Sequence, residues 1–215
     1  MLERPAAGGR QPPLSVVVCS YTTDRLADIR HLLSALQQQS YARLETVFVA
    51  DGSPQLRQAV GEHVSEQGLE RVRVVLNEGR PGLAAARNVG VGHAEGEIIA
   101  FIDDDAVPFA DWGERIAAAL ARADAAGVTG PAFPLWEDES LAWLPEEFYW
   151  LVSCPTPGWL GWSDVREVRN AWGMNMAFRR EAFRACRFPE DYGYRRAAAA
   201  GVPSHLLGED TAFSV

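Results

Sequence analysis

Short apolar runs recur through the first 102 residues, and a stretch with helical periodicity separates each run from the next. The apolar runs span residues 14–20, 47–50, 72–76 and 97–102. The helical stretches between them span residues 26–36, 55–67 and 83–93. Val16, Val17 and Val18 place apolar side chains on both faces of the first run, which is typical of an interior strand of a parallel sheet. The alternation predicts a mostly parallel sheet covered by helices on both faces.

The regular alternation continues a little further and then stops. An Ala-rich stretch at 111–126 predicts another helix, and 128–133 predicts a strand. Residues 134–172 carry six of the seven Trp with several Pro and acidic residues, which indicates an irregular insertion. Most of these Trp are expected to pack, although a flat apolar ring also suits stacking on a sugar. A strand at 173–178 and a short helix beginning at 181 follow.

The length of 215 residues fits one α/β domain with a substantial core. Residues 1–13 contain several Gly and Pro and are predicted to form a flexible leader. The domain would then span 14–215, divided into a first half at 14–107 and a second half at 108–215.

Composition excludes several classes of function. A net charge of −9 and a pI near 5.0 argue against nucleic acid as the main partner. All 20 basic residues are Arg, so a Schiff-base Lys and a phosphate-loop Lys are both excluded. Three widely spaced Cys predict reduced thiols, and no apolar stretch approaches membrane-spanning length. We therefore expect a cytoplasmic protein, at most peripheral at the inner face of the membrane.

Three successive carboxylates end the fourth apolar run, at Asp103, Asp104 and Asp105. Neighbouring carboxylates repel one another, and a divalent cation would offset that repulsion. Mg²⁺ and Mn²⁺ prefer oxygen ligands and leave positions open for substrate phosphates. The triplet therefore predicts a metal site, with an acidic surface loop as the alternative.

Polar residues follow the other apolar runs as well. Ser20 and Tyr21 come after the first run, Asp51 after the second, and a segment at 77–80 after the third. The carboxyl ends of parallel strands lie at one edge of a sheet, where ligands bind in open α/β folds. We expect these residues to line one site, although Asp51 before Gly52 also suits an ordinary turn.

The order of these segments resembles the family 2 glycosyltransferases. The matching segments are 17–21, 51–53, 77–90, 101–105, 173–180 and 208–210. The resemblance implies a GT-A fold, which is a Rossmann-like α/β sandwich. It also implies metal-dependent, inverting transfer of a sugar from a nucleoside diphosphate sugar, with a UDP-sugar favoured. The acceptor would be a hydroxyl of a saccharide or lipid-linked molecule, as in the synthesis of cell-envelope polysaccharides or other glycans.

The resemblance assigns roles around the diphosphate of the donor. Asp105 would hold Mn²⁺ or Mg²⁺, with Asp103 as a second ligand, and Asp104 would contact the ribose in this DXD-like triplet. Arg80 and Arg87 would contact the nucleotide or the diphosphate. Pairing of Arg87 with nearby acidic residues remains the alternative.

The resemblance also assigns the nucleobase pocket and the catalytic base. Asp51 would bind the nucleobase, with Ser20 and Tyr21 as the neighbouring wall. Asp210, preceded by Glu209, would be the general base that takes the proton of the acceptor hydroxyl. An acidic pair at the start of a helix also occurs simply to complement the helix dipole.

By this resemblance 14–107 would be the nucleotide-binding half, and 108–215, with the Trp-rich insertion at 134–172, the acceptor-binding half. The acceptor side would be lined by Asn175, Met176 and Trp172. The family usually continues well past the position of Asp210, so the chain, which ends at Val215, is expected to be shortened at its C-terminus. Two other functions remain open, a catalytically idle nucleotide-sugar-binding module and a nucleotidyltransferase of related fold. The second fits poorly, because the segment after the first run lacks a basic glycine-rich phosphate loop.

Overall fold

The computed structural model describes residues 11–122, 124–152, 154 and 166–191. The strands are β1 (Leu14–Ser20), β2 (Leu44–Asp51), β3 (Val72–Asn77), β4 (Ile98–Ile102), β5 (Gly127–Thr129) and β6 (Asn175–Arg179). The α-helices are α1 (Leu26–Gln37), α2 (Pro54–Glu66), α3 (Leu83–His93), α4 (Trp112–Arg122) and α5 (Ala182–Ala185). Short 3₁₀ helices are Thr23–Arg25, Glu139–Leu141 and Glu146–Val152.

The described strands form one six-stranded sheet in the order β3-β2-β1-β4-β6-β5. The four strands from β1 to β4 are mutually parallel, and β6 runs antiparallel to both of its neighbours. Parallel strands need crossover connections, which α1, α2 and α3 supply. The predicted mostly parallel sheet with flanking helices is therefore confirmed.

The core lies on both faces of this sheet. One cluster packs Val16 and Val18 of β1 with α1, α2 and α4, and the other packs Val17 with α3 and the segment around Phe188. Successive residues of a strand point to opposite faces, so each parallel strand contributes to both clusters. This arrangement accounts for the continuous apolar runs in the sequence.

Local chemistry fixes where α2 begins and how closely α3 packs on the sheet. The Ser53 hydroxyl accepts a hydrogen bond from the amide of Leu56 at 3.3 Å, and Pro54 stands at the first turn of α2. Helix α3 lies unusually close to the sheet at Gly90, where an added Cβ would stand 2.3 Å from Val17 Cγ1. The absence of a side chain at this position lets α3 approach β1 closely.

Helix α4 and strand β5 are both shorter than the sequence predicts. The side chain of Arg179 donates to the carbonyls of Leu120 and Ala125 at 2.6 and 3.1 Å. Its backbone amide donates to the carbonyl of Ala126 at 2.8 Å. These bonds satisfy carbonyls at and beyond the end of the helix, which stops at residue 122 instead of 126. Strand β5 ends just before Gly130 and Pro131, because proline has no amide to extend the ladder.

The end of the predicted leader is attached to the sheet. The Pro12 carbonyl accepts from the Tyr41 hydroxyl at 2.7 Å, and the Pro13 carbonyl accepts from the amides of Glu97 and Ile98 at 2.7 and 3.1 Å. Residues 12 and 13 of the predicted leader are therefore bonded to the rest of the domain, and residues 1–10 lie outside the described part.

Candidate active site

The polar ends of the parallel strands lie at one edge of the sheet. Ser20 pairs with Ala50 at the end of β1 and β2, and Asp51 pairs with Asn77 at the end of β2 and β3. Ile102 at the end of β4 pairs with Asn175, the first residue of antiparallel β6. The strand register brings these positions to the carboxyl edge, as predicted.

Asp51 holds the glycine-rich loop that follows β3. Its Oδ1 accepts from Asn77 Nδ2 at 2.6 Å, and its Oδ2 accepts from the backbone amide of Gly82 at 2.8 Å. The residue is 9% exposed, so its charge is stabilised mainly by these donors. Both oxygens retain further acceptor capacity, since a carboxylate offers about four lone-pair sites. Asp51 therefore shapes the loop and can still accept from a ligand.

Asn77 begins the polar segment predicted after β3, and its role in organising the loop was not identified from the sequence. Besides its bond to Asp51, its Nδ2 donates to the carbonyl of Arg80 at 2.9 Å, and its Oδ1 accepts from the amide of Gly79 at 3.1 Å. Gly82 adopts φ 140°, a conformation that favours glycine. An Asn placed directly before a glycine-containing turn was the available signal.

The end of β1 forms a mixed surface beside Asp51. Ser20 is 3% exposed, and its hydroxyl has no hydrogen-bond partner among the described residues. Tyr21 is 51% exposed. Burial, opposed by the charge of Arg87 and assisted by that of Asp51, raises the pKa of Cys19 to about 12. Cys19 therefore remains a thiol at neutral pH, and the unpaired Ser20 hydroxyl is the group that suits a ligand.

The acidic triplet forms a tight turn after β4. The amide of Ala106 donates to the carbonyl of Asp103 at 3.2 Å. The side chain of Asp104 is 7% exposed, whereas those of Asp103 and Asp105 are 43% and 53% exposed. The central carboxylate is thus held inside the turn, and the outer two are open to solvent.

Arg25 contacts two members of the triplet and was not identified from the sequence. Its Nη1 donates to Asp104 Oδ1 at 2.7 Å and to Asp105 Oδ2 at 3.0 Å. The hydrogen bond to Asp104 raises the pKa of Arg25 above its ordinary value. Asp103 instead faces Arg87, with 3.9 Å between its Oδ1 and Arg87 Nη2. Asp104 and Asp105 are therefore the two carboxylates that bind the Arg25 guanidinium.

The open carboxylates fit a divalent metal that is completed by substrate. No group of three or more His, Cys, Asp or Glu in the described residues is arranged to hold a metal ion by itself. Mg²⁺ is usually bound by one or two carboxylates together with substrate phosphates. The half-exposed side chains of Asp103 and Asp105 match that donor set.

Arg87 lies beneath the site. Its side chain is 4% exposed, and its guanidinium carbon lies 5.9 Å from the ring centroid of Phe101 and 5.5 Å from that of Phe188. Its Nη2 donates to the carbonyl of Gly173 at 3.2 Å. In this structure Arg87 joins β4 to the segments around residues 173 and 188 below the site. Its contact with the nucleotide or diphosphate remains a prediction.

The glycine-rich loop and α3 are connected to the segment after α5. Arg80 Nη1 lies 3.0 Å from Asp191 Oδ1 in an exposed ion pair. The Asn88 side chain makes two hydrogen bonds to the backbone of Phe188. Its Nδ2 donates to the Phe188 carbonyl at 2.9 Å, and its Oδ1 accepts from the Phe188 amide at 3.0 Å. This attachment fixes the part of the chain that leads toward residues 192–215.

The predicted acceptor-side residues differ in their burial and in their hydrogen bonds. The Asn175 side chain accepts from Trp112 Nε1 at 2.9 Å and donates to the Pro131 carbonyl at 3.0 Å. Trp172 is half-buried, and its amide donates to the Thr129 hydroxyl at 3.1 Å. Met176 is fully buried in the core, so in this structure its side chain does not line the acceptor side as predicted. Met176 is the second residue of β6 and pairs with Phe101 of β4, and its side chain packs in the same core cluster as that of Phe101.

The predicted general base, Asp210, and the preceding Glu209 lie outside the described residues. Their predicted roles therefore stay predictions. Within the described part of the chain, no helix combines the length and apolar character needed to cross a membrane.

Several curated proteins similar to this chain are named as glycosyltransferases. The glucosyl-dolichyl phosphate glucuronosyltransferase of Haloferax volcanii is 33% identical over 171 residues, which cover 79% of this chain and 53% of that protein. The chain thus spans about half the length of this curated relative.

Solved structures support the same fold. The mannosyltransferase PcManGT from Pyrobaculum calidifontis, in complex with GDP-Man and Mn²⁺, gives a TM-score of 0.65 at 23% identity and covers 85% of this chain and 49% of its own. S. aureus TarS 1-349 in complex with UDP-GlcNAc gives 0.62 at 19% identity and covers 94% and 52%. These likenesses confirm the GT-A fold. Because residues 15–187 also match the family described as glycosyl transferase family 2, the chain belongs to that family.

Proposed function

We propose that this protein is a metal-dependent, inverting glycosyltransferase that uses a nucleoside diphosphate sugar, with a UDP-sugar favoured. The observation that carries the proposal is the convergence of Ser20, Asp51 and the acidic triplet at one sheet edge, beside a loop that Asp51 itself holds. Ligands of open α/β folds bind at this edge.

The donor would bind across this edge. Asp51 and the unpaired Ser20 hydroxyl offer acceptors and a hydroxyl donor to a nucleobase, and exposed Tyr21 offers a flat surface beside them. Asp104 is assigned to the ribose. Arg80 lies in the glycine-rich loop, where a guanidinium can attract the diphosphate. In the proposed complex these residues bind and orient the donor.

Asp105, with Asp103 as a second ligand, would hold Mn²⁺ or Mg²⁺. A bound divalent ion would neutralise the negative charge that develops on the departing diphosphate. Both solved relatives are complexes with a nucleotide sugar, and one of them also contains Mn²⁺. Asp210 would accept the proton of the acceptor hydroxyl, which is the function an inverting transfer requires of a carboxylate.

The acceptor is proposed to be a saccharide or a lipid-linked molecule. The Haloferax relative is named for glucosyl-dolichyl phosphate. Large side chains stand open to solvent beyond β5, with Leu135 and Trp143 each 73% exposed and Trp150 55% exposed. Such side chains suit stacking on a sugar or contact with a lipid chain. The corresponding location is the cytoplasm, at most peripheral at the inner face of the membrane, in cell-envelope or other glycan synthesis.

Calorimetric titration with Mn²⁺ together with UDP or GDP tests donor binding. We expect binding of one of these nucleotides in the presence of Mn²⁺, and we expect Asp105→Asn to weaken it at least tenfold. Asp124→Asn is the matched control. Asp124 is exposed and precedes β5, which places it near the amino ends of the parallel strands, away from the carboxyl edge that carries the site. Failure of both nucleotides to bind would refute the proposal.

Transfer assays with labelled donor distinguish an active enzyme from an idle binding module. We expect transfer of sugar to an acceptor or to water, and loss of that transfer in Asp210→Asn. Nucleotide binding without any transfer would favour the catalytically idle alternative. Full transfer by Asp210→Asn would overturn the assignment of the base.

A further inference from the structure

Arg25 connects the segment that follows β1 with the acidic triplet that follows β4. It ends the 3₁₀ helix that follows β1, and this helix is capped by the Thr22 hydroxyl, which accepts from the amide of Asp24 at 3.1 Å. One guanidinium nitrogen donates to both Asp104 and Asp105. A positive group thus lies where two neighbouring carboxylates converge.

The two contacts of Arg25 differ in environment. Asp104 is buried, with 7% of its side chain exposed, so loss of its partner would leave a desolvated charge. The Asp105 side chain is 53% exposed, and that of Arg25 is 43% exposed. Ion pairs between exposed groups contribute little and exchange readily with water or other ions. The bond to Asp104 is therefore the lasting one, and the bond to Asp105 is the one that can be given up.

We propose that Arg25 is a positioning residue that keeps Asp104 in place and competes with the divalent metal for Asp105. This inference rests on the proposed function. A carboxylate oxygen that accepts from Arg25 is less available as a metal ligand, and the nearby positive charge repels a second cation. The added negative charge of a nucleoside diphosphate offsets that repulsion. Arg25 therefore makes metal binding depend on the donor nucleotide.

The first test measures Mn²⁺ affinity of the full chain by calorimetry, without nucleotide. Arg25→Gln removes the charge but keeps an amide donor for Asp104, and Arg25→Lys keeps the charge. We expect Arg25→Gln to bind Mn²⁺ about 3–10-fold more tightly than the wild type, from the Coulomb interaction of charges a few ångströms apart. Arg25→Lys should stay within about twofold of the wild type. Unchanged or weaker binding by Arg25→Gln would overturn the inference, since a purely structural role predicts one of those results.

The second measurement uses the same proteins with UDP and, separately, GDP. In the wild type we expect the nucleotide to strengthen Mn²⁺ binding by a larger factor than in Arg25→Gln. Equal factors in the two proteins would contradict the inference while leaving the proposed function intact. If the wild type bound Mn²⁺ neither alone nor with either nucleotide, the proposed function and the inference would both fail.

A measurement on the unmodified protein applies if Arg25→Gln does not fold. The guanidinium nitrogen signals of Arg25 are followed by NMR while Mg²⁺ is added in the presence of the nucleotide that binds. We expect a shift of the Arg25 signals as Asp105 is released. Saturation with Mg²⁺ and nucleotide without any change in those signals would rule out the competition.

Discussion

The sheet and its helices use apolar residues differently from the segment at 133–152, here called the aromatic segment. All five residues of β4 are buried. The two 3₁₀ helices of the aromatic segment contain no buried residue among those described. Phe133, Leu135 and Trp143 are 46%, 73% and 73% exposed. The same residue types therefore stabilise the fold in one region and form its surface in the other.

This difference separates the two sides of the proposed reaction. The donor side consists of short polar turns attached to buried strands, so side chains such as Asp51 and Asp104 have fixed positions. The aromatic segment presents open apolar surface that a large acceptor can contact. Substitutions in the aromatic segment can therefore change acceptor contacts without disturbing the sheet. Substitutions in the buried strands below the donor-side turns affect folding.

The largest expected contrast lies between two Trp residues. Trp112 is 7% exposed and donates from Nε1 to Asn175, whereas Trp143 is 73% exposed. Trp112→Ala should lower the free energy of unfolding by about 3–5 kcal/mol, since it leaves a cavity and an unsatisfied acceptor. Trp143→Ala should change it by less than about 0.5 kcal/mol. Denaturant unfolding measures both, and similar losses in the two variants would remove the distinction between the regions.

A second contrast lies within α3. Gly90→Ala would place a Cβ 2.3 Å from Val17 Cγ1, whereas nothing lies within 4 Å of a Cβ at Gly92. Gly90→Ala should lower the free energy of unfolding by about 1–3 kcal/mol through overpacking. Gly92→Ala should raise it by about 0.5–1 kcal/mol, because Ala favours a helix over Gly. Thermal or denaturant unfolding distinguishes them, and stabilisation by both would show that α3 does not pack closely on β1.

The smallest expected effect concerns the thiol at Cys19. Burial raises its pKa from 9.0 to about 12, so only about one molecule in ten thousand carries the thiolate at pH 8. We expect iodoacetamide to modify exposed Cys186 in the folded protein and to spare Cys19 until denaturant is added, as followed by mass spectrometry. The Cys19 thiol ionises at a lower pH in the unfolded chain than in the folded protein. The contribution of the protonated thiol to the free energy of unfolding is therefore fully present below pH 9 and is lost progressively as the pH rises toward 12. Rapid labelling of half-buried Cys19 in the folded state would contradict its raised pKa.

The sequence by itself determined the sheet and the list of polar strand ends. Helix α3 spans Leu83–His93 and β1 spans Leu14–Ser20, as the pattern predicts, because continuous apolar runs and helical spacing are local properties. The placement of Asp51 and the acidic triplet at one edge of the sheet also followed from the sequence, since parallel strands all end at the same edge. Residues 209–210 were proposed on resemblance alone.

Tertiary structure decided which partners those side chains have. The contacts of Arg25 with the triplet join residues 79 and 80 positions apart, and that of Asn77 with Asp51 spans 26 positions. The burial of Arg87 and Met176, and the early end of α4 under Arg179, likewise depend on how the elements pack. Local patterns report how often apolar groups recur along the chain, whereas a hydrogen bond between distant residues depends on the final positions of both, which only the packed fold sets.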